Sequence, residues 1–261
     1  IGEIHDMLGT GVASLAVYRS NAAAVQTTPA PCASFNALAN GSAGTPMTLS
    51  IRQDDDLVLP DGAGYSLGAH QLVRLEVHAV NFTAAPLTVG ATTALSTMTT
   101  PYVREAGIMV LMDPDISIPP NATATLGPVY LPGTALAAAD IFRIEGYTHA
   151  RGTNVKLATT TGPTGPDSIV YDVTGWSPTN PPVETPAVPI NVPAGGGFRL
   201  TCDWNNPTPG KVTYGTSNAA EMCAALLWYA AAVPASVCEM VVPEEQDDPE
   251  RPVKHKMPAE H

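Results

Sequence analysis

Apolar and polar positions alternate with a period of two in several short runs of this chain, and that period belongs to β-strands rather than helices. In "HQLVRLEVHAVNF", residues 70–82, Val73, Leu75, Val77 and Ala79 fall on one side and Arg74, Glu76 and His78 on the other. The pattern predicts a half-buried strand with its apolar side inward and its polar side in solvent. "IFRIEGYTHA", residues 141–150, repeats it: Phe142 and Ile144 point one way, and Arg143, Glu145, Tyr147 and His149 the other. Further strands are expected at 12–19, 106–112, 125–131, 154–160, 168–173, 197–204 and 222–230, separated by turn-forming runs such as "PDGAG", "PPNA", "TGPTGPD" and "PAGGG".

Composition points the same way. The 261 residues are 44% hydrophobic but only 14% charged, with many Gly, Pro, Thr and Ala, which favours an all-β fold rich in turns. The length suits two domains of roughly 100 to 140 residues. A low-complexity run, "TAAPLTVGATTALSTMTTPY", reads as a crossover, which sets an N-terminal domain at 1–102 and a C-terminal domain at 103–242. The remaining 243–261, rich in Pro and charge, forms an acidic tail that needs a neighbouring surface to be ordered.

The formal net charge of −12 repels phosphate backbones, so nucleic acid is not an expected partner. The least polar stretch, "AAEMCAALLWYAAAVPASVCEMVV", contains Glu221, Pro234 and Glu239, so it reads as a strand and a turn rather than a transmembrane segment. Cys32, Cys202, Cys223 and Cys238 show neither CxxC nor zinc-finger spacing, which favours disulfides and an extracytoplasmic location, whether secreted, periplasmic or cell-surface. The chain opens on Ile, as a mature or truncated product would. Other chemistry is thin. "QDDD" at 53–56 lacks the spacing of a calcium loop and reads as a solvated turn. "PAGGG" lacks the helix and Lys of a phosphate loop.

"GYTHARG" at 146–152, "RLTCDW" at 199–204 and "YGTSNAAEMCAALLWY" at 214–229 together resemble the copper type II, ascorbate-dependent monooxygenases, whose motifs are a His-Thr-His and a later Glu-Met-Cys. Earlier segments resemble the same family: "EIHDML" at 3–8, "LPDGAGYSLGAHQLVRLEVHAVN" at 59–81 and "EAGIMVLMDPDISIPPN" at 105–121. The resemblance implies two jelly-roll-like antiparallel β-sandwich domains packed side by side, each presenting one copper site, and a disulfide between Cys202 and Cys223. Cys32 and Cys238 match family half-cystines whose partners are not found in this sequence.

Carried over residue by residue, the first copper site of the family falls on His5, Asp6 and His78, and the second on Tyr147, His149 and Met222. Asp6 and Tyr147 stand where the family has imidazoles. Copper cycling between two oxidation states suits imidazole and thioether donors, and carboxylate or phenol in their place disfavours the reduced ion. The positions with which the peptide-hydroxylating branch grips its substrate carboxylate are Glu145 and Leu226, one of opposite charge and one apolar. The expected role is therefore a non-catalytic structural or accessory subunit of a larger assembly, joined to other protein subunits through an open N-terminal sheet edge and the C-terminal tail. The alternatives are a copper monooxygenase with a modified site, using ascorbate, and a copper-binding module without turnover.

Overall fold

The structure, a computed structural model, describes residues 1–32, 44–81, 83–136, 138–173 and 175–232 and the backbone of 240–241. The tail at 243–261 and Cys238 lie outside the described residues. In the N-terminal half the strands are β1 (Glu3–Leu8), β2 (Val12–Ser20), β3 (Gly44–Ser50), β4 (Asp54–Val58), β5 (Ala63–Gly64), β6 (Val73–Ala79) and β7 (Ala91–Ser96). There follow β8 (Arg104–Met112), β9 (Ser117–Ile118), β10 (Ala122–Pro132), β11 (Asp140–Tyr147), β12 (Gly152–Thr160) and β13 (Asp167–Asp172). The last are β14 (Val183–Glu184), β15 (Ile190–Asn191), β16 (Gly197–Asn206), β17 (Val212–Thr213), β18 (Ala224–Ala232) and β19 (Met240–Val241). The helical content among the described residues is a single 3-10 turn at Thr134–Leu136. No helix there is long and apolar enough to cross a membrane. The protein is all-β, as the alternation implies.

A central sheet, in the order β14-β11-β18-β8-β19, organises the molecule. Strands buried on both faces lose alternation and read as continuous apolar runs, which is why 222–232 is so apolar. In β18, Ala224, Leu226, Trp228 and Ala230 enter one core, while Ala225, Leu227 and Tyr229, with Cys223 just before them, enter another. The second core lies between the central sheet and an outer sheet, β10-β16-β12-β13, which contributes Leu131, Val155, Leu157, Phe198, Leu200 and Trp204. Together these two sheets form the β-sandwich of the C-terminal half. The Cys202–Cys223 disulfide crosses it, joining β16 to the residue before β18. Closing a loop of roughly 20 residues contributes about 3 kcal/mol in the chain-entropy account.

The first core is shared. Ile4 and Leu57 enter it from the sheet β4-β1-β7, and Ala16, Tyr18, Met47 and Leu49 from the sheet β3-β2-β6. These meet Ile108, Val110, Met112, Phe142 and the even-numbered face of β18. The N-terminal half is thus packed directly on the back of the C-terminal sandwich.

Four expectations change. All seven strands expected between 12–19 and 222–230 form, but the Thr/Ala-rich run holds β7, which pairs with β1, and "QDDD" runs into β4, where Asp55 is buried. The polar side of β11 faces the shared core rather than water: Arg143 and Glu145 are buried, and a bulge between Ile141 and Arg143 brings Phe142 to that same side. Strand β6 is inverted relative to expectation. Its Val73, Leu75 and Val77 are 37, 45 and 40% exposed, while Glu76 is buried. Register explains the inversion. Glu76 and Arg74 oppose Ala16 and Tyr18, which point into the shared core, whereas Val77 and Leu75 oppose Leu15 and Val17. Leu8 covers Leu15 and Val17, but that cover stops short of the marginal strand. Burial depends on what lies over a face as well as on the residues in it.

Candidate functional site

Tyr147, His149 and Met222 gather at one end of the β11–β18 ladder. The last pair of that ladder is Tyr147 with Ala224, and His149 and Met222 each lie two residues beyond it, at the same end. Glu221 fixes the approach. Its carboxylate, fully buried, accepts from the His149 N–H at 2.9 Å, the Arg151 N–H at 2.8 Å and the Trp204 indole N–H at 3.2 Å. The Arg151 guanidinium lies 3.7 Å away. A buried carboxylate with this many donors is satisfied, and it ties the turn after β11 to the segment entering β18.

The His149 ring is oriented by the same segment. Its Nδ1 lies 3.0 Å from the Ala220 carbonyl oxygen, and since a carbonyl only accepts, Nδ1 carries the proton and Nε2 keeps a free lone pair. The Tyr147 ring meets the His149 ring edge to face at 5.8 Å. Burial, reinforced by the charge of Glu221, pushes the Tyr147 phenol well above its ordinary pKa. An imidazole nitrogen, at His149 Nε2, and a buried thioether, at Met222, are donors whose chemistry fits a soft, reduced copper ion.

His78 faces the same layer. It opposes Ser14 in the face of β6 turned toward the central sheet, and burial lowers its pKa, with the nearby His149 adding to the effect. The other residues of its expected set are elsewhere. Adjacent residues of a strand point to opposite sides, so β1 sends His5 outward and Asp6 inward. His5 lies between Asp54, at 2.8 Å, and Asp56, at 3.3 Å, and the hydrogen bond to Asp54 raises its pKa. Asp6 accepts from the Ser50 hydroxyl at 2.6 Å, and burial raises its pKa. Ser50 shares the face of Leu15 and Val77, opposite to that of His78. The structure therefore brings Tyr147 and His149 together with Met222 at the same end of the ladder, sets His78 near His149, and leaves His5 and Asp6 apart. Among the described residues, no group of three His, Cys, Asp or Glu side chains could hold a metal ion.

Glu145 and Leu226 form a direct pair of the β11–β18 ladder and are 0% and 1% exposed. The Arg143 guanidinium donates to both oxygens of Asp55, at 2.6 and 2.9 Å, and to the Asp56 carbonyl at 2.7 Å. It approaches Glu145 at 3.3 Å and lies 4.7 Å from the Trp228 ring centroid. Burial pushes the Glu145 carboxyl up to about 8, outweighing the Arg143 charge that pulls it down. This cluster pins β4 to β11. Removing one partner of such a buried pair costs about 3–5 kcal/mol. No role was assigned from sequence to Glu221, Arg143 or Asp55: Asp55 lies in the "QDDD" run read as a solvated turn, and Arg143 on the side of its strand read as polar.

The fold and site define an all-β protein with a sandwich whose central sheet has a histidine and a methionine in the segments at one of its ends. Residues 104–249, more than half of the chain, match the family model for the copper type II ascorbate-dependent monooxygenase, C-terminal domain. The chain belongs to the copper type II ascorbate-dependent monooxygenase family. No curated protein matches significantly. Among solved structures, one of infectious bursal disease virus, Gx strain, matches 88% of this chain and 58% of that chain at 12% identity, with a TM-score of 0.26. One of the Gt strain matches 89% and 55% at 12% identity, with a TM-score of 0.22. The chain spans little more than half the length of those chains, and TM-scores this low carry no argument.

Proposed function

We propose that this protein is a non-catalytic structural or accessory member of its family, working in an extracytoplasmic assembly with other protein subunits. The observation that carries this reading is the burial of Glu145 and Leu226. At the positions where the resemblance puts substrate-gripping groups, these side chains belong to the core that welds the two halves together. Supporting it, Tyr147 stands in place of an imidazole, and β1 separates His5 from Asp6. The domain division at 102/103 belongs to the same proposal.

One observation favours a second reading, a copper-binding module without turnover: His149 Nε2 keeps its lone pair, Met222 lies at the same end of the ladder, and His78 is near His149. When bound, copper would supply redox chemistry; His149 and Met222 are the residues that would hold it, with ascorbate as reductant only in an active enzyme.

Metal analysis of the purified protein, with oxygen uptake measured in the presence of ascorbate, separates the readings. The proposed role predicts no ascorbate-dependent uptake after loading with Cu(I). One tightly held copper without uptake would establish the binding module instead, and uptake would restore the monooxygenase. Tyr147→His should return an imidazole to the set and tighten Cu(I) binding by roughly tenfold or more in chelator competition.

A further inference from the structure

Strand β6 is the margin of the sheet β3-β2-β6, and among the described residues no strand lies along its outer side. Its sequence from 73 to 77, Val-Arg-Leu-Glu-Val, is an apolar palindrome with opposite charges at its two inner flanks. From this edge and this pattern we infer that β6 is the self-association surface of the protein. A second copy of the chain pairs antiparallel with it about a two-fold axis at Leu75.

The backbone fits such pairing. The Leu72 carbonyl accepts from Ser20 N–H and the Val80 N–H donates to the Gly11 carbonyl, so the even-numbered backbone groups of β6 face β2. The odd-numbered groups of Val73, Leu75 and Val77 therefore face outward. A two-fold pairing centred on Leu75 sets Leu75 against Leu75 of the second copy and Val73 against Val77, each as a hydrogen-bonded pair. Between them, Arg74 falls opposite Glu76 in non-hydrogen-bonded pairs, where Cα atoms approach to about 4.5 Å and side chains meet most closely.

The charges also choose the register. Sliding one way to the next register with the same backbone parity puts Glu76 against Glu76, and sliding the other way puts Arg74 against Arg74. Like charges directly opposite are unfavourable, so the register centred on Leu75 is preferred to both of its neighbours. The three half-exposed apolar side chains become a doubled row across the axis, and the open edge is closed by an isologous contact. The partner is thereby named as a second copy, which goes beyond the assembly role above and does not depend on copper, so oxygen uptake would leave it untouched.

The test uses the full chain, in light scattering and in thiol crosslinking. The parent should run as a dimer, and Leu75→Lys, with two ammonium groups meeting at the axis, as a folded monomer by circular dichroism. Arg74→Glu should also dissociate the dimer, and adding Glu76→Arg should restore it. Because Cys32 is an exposed free thiol and Cys238 is outside the Cys202–Cys223 disulfide, crosslinking is done in a Cys32→Ser, Cys238→Ser background. Leu75→Cys should then form a reducible covalent dimer, since paired Cα atoms lie within disulfide reach. Val73→Cys should not, its two copies being four residues out of step, about 13 Å apart along the strand. A monomeric parent, a dimer indifferent to Leu75→Lys, or equal crosslinking at 73 and 75 would overturn the inference.

Discussion

Glu145 shows how one side chain can be informative through its environment rather than its type. Water exclusion raises its carboxyl to about 8 from an ordinary 4.5. Between those values the folded protein holds a proton that the unfolded chain has released, so stability falls as pH rises from about 4.5 to about 8 and levels off above. Glu145→Gln keeps the shape and removes the proton. Its urea midpoint, followed across that window, should lack the part of the decline due to this group; a parent and variant with parallel profiles would mean that Glu145 does not hold its proton. The same residue marks the limit of alternation. Sequence periodicity puts Arg143, Glu145 and Tyr147 on a common side, but what covers that side is supplied by β4 and its Asp55, far away in the chain.

At the scale of elements, the legible strands were those with long alternating or continuous apolar runs, and the illegible ones were short and polar. β4, "DDDLV", has little intrinsic preference for a strand. Pairing with β1 and the grip of Arg143 on Asp55 hold it there. His149 and Met222 were legible because motifs mark them, and the pairing of β11 with β18 brings the segments that carry them to one end of the central sheet. Glu221 was not, since a carboxylate serving three backbone and indole donors looks in sequence like any acidic residue. Glu221→Ala leaves the N–H groups of His149 and Arg151 without their acceptor. Hydrogen exchange at those two amides should accelerate at least tenfold, the equivalent of about 1.4 kcal/mol in local opening, while β8 amides keep their protection. Unchanged exchange would mean the turn is held by other contacts.

For the whole molecule, the central sheet is common property. Each face serves a different core, and Leu226 and Trp228 belong as much to the N-terminal strands as to their own sandwich. The described halves should therefore melt together, in one calorimetric transition whose van't Hoff and calorimetric enthalpies agree; two separated transitions would show that the shared core is dispensable to one half. Met222 inherits a double duty from this arrangement. Sitting in the shared core, it answers to packing whether or not a metal ever arrives, while His149 lies half-exposed at the rim. A lineage that gave up its metal would shed imidazoles first and keep the thioether as ballast, so the sulfur is the less trustworthy fossil of the pair.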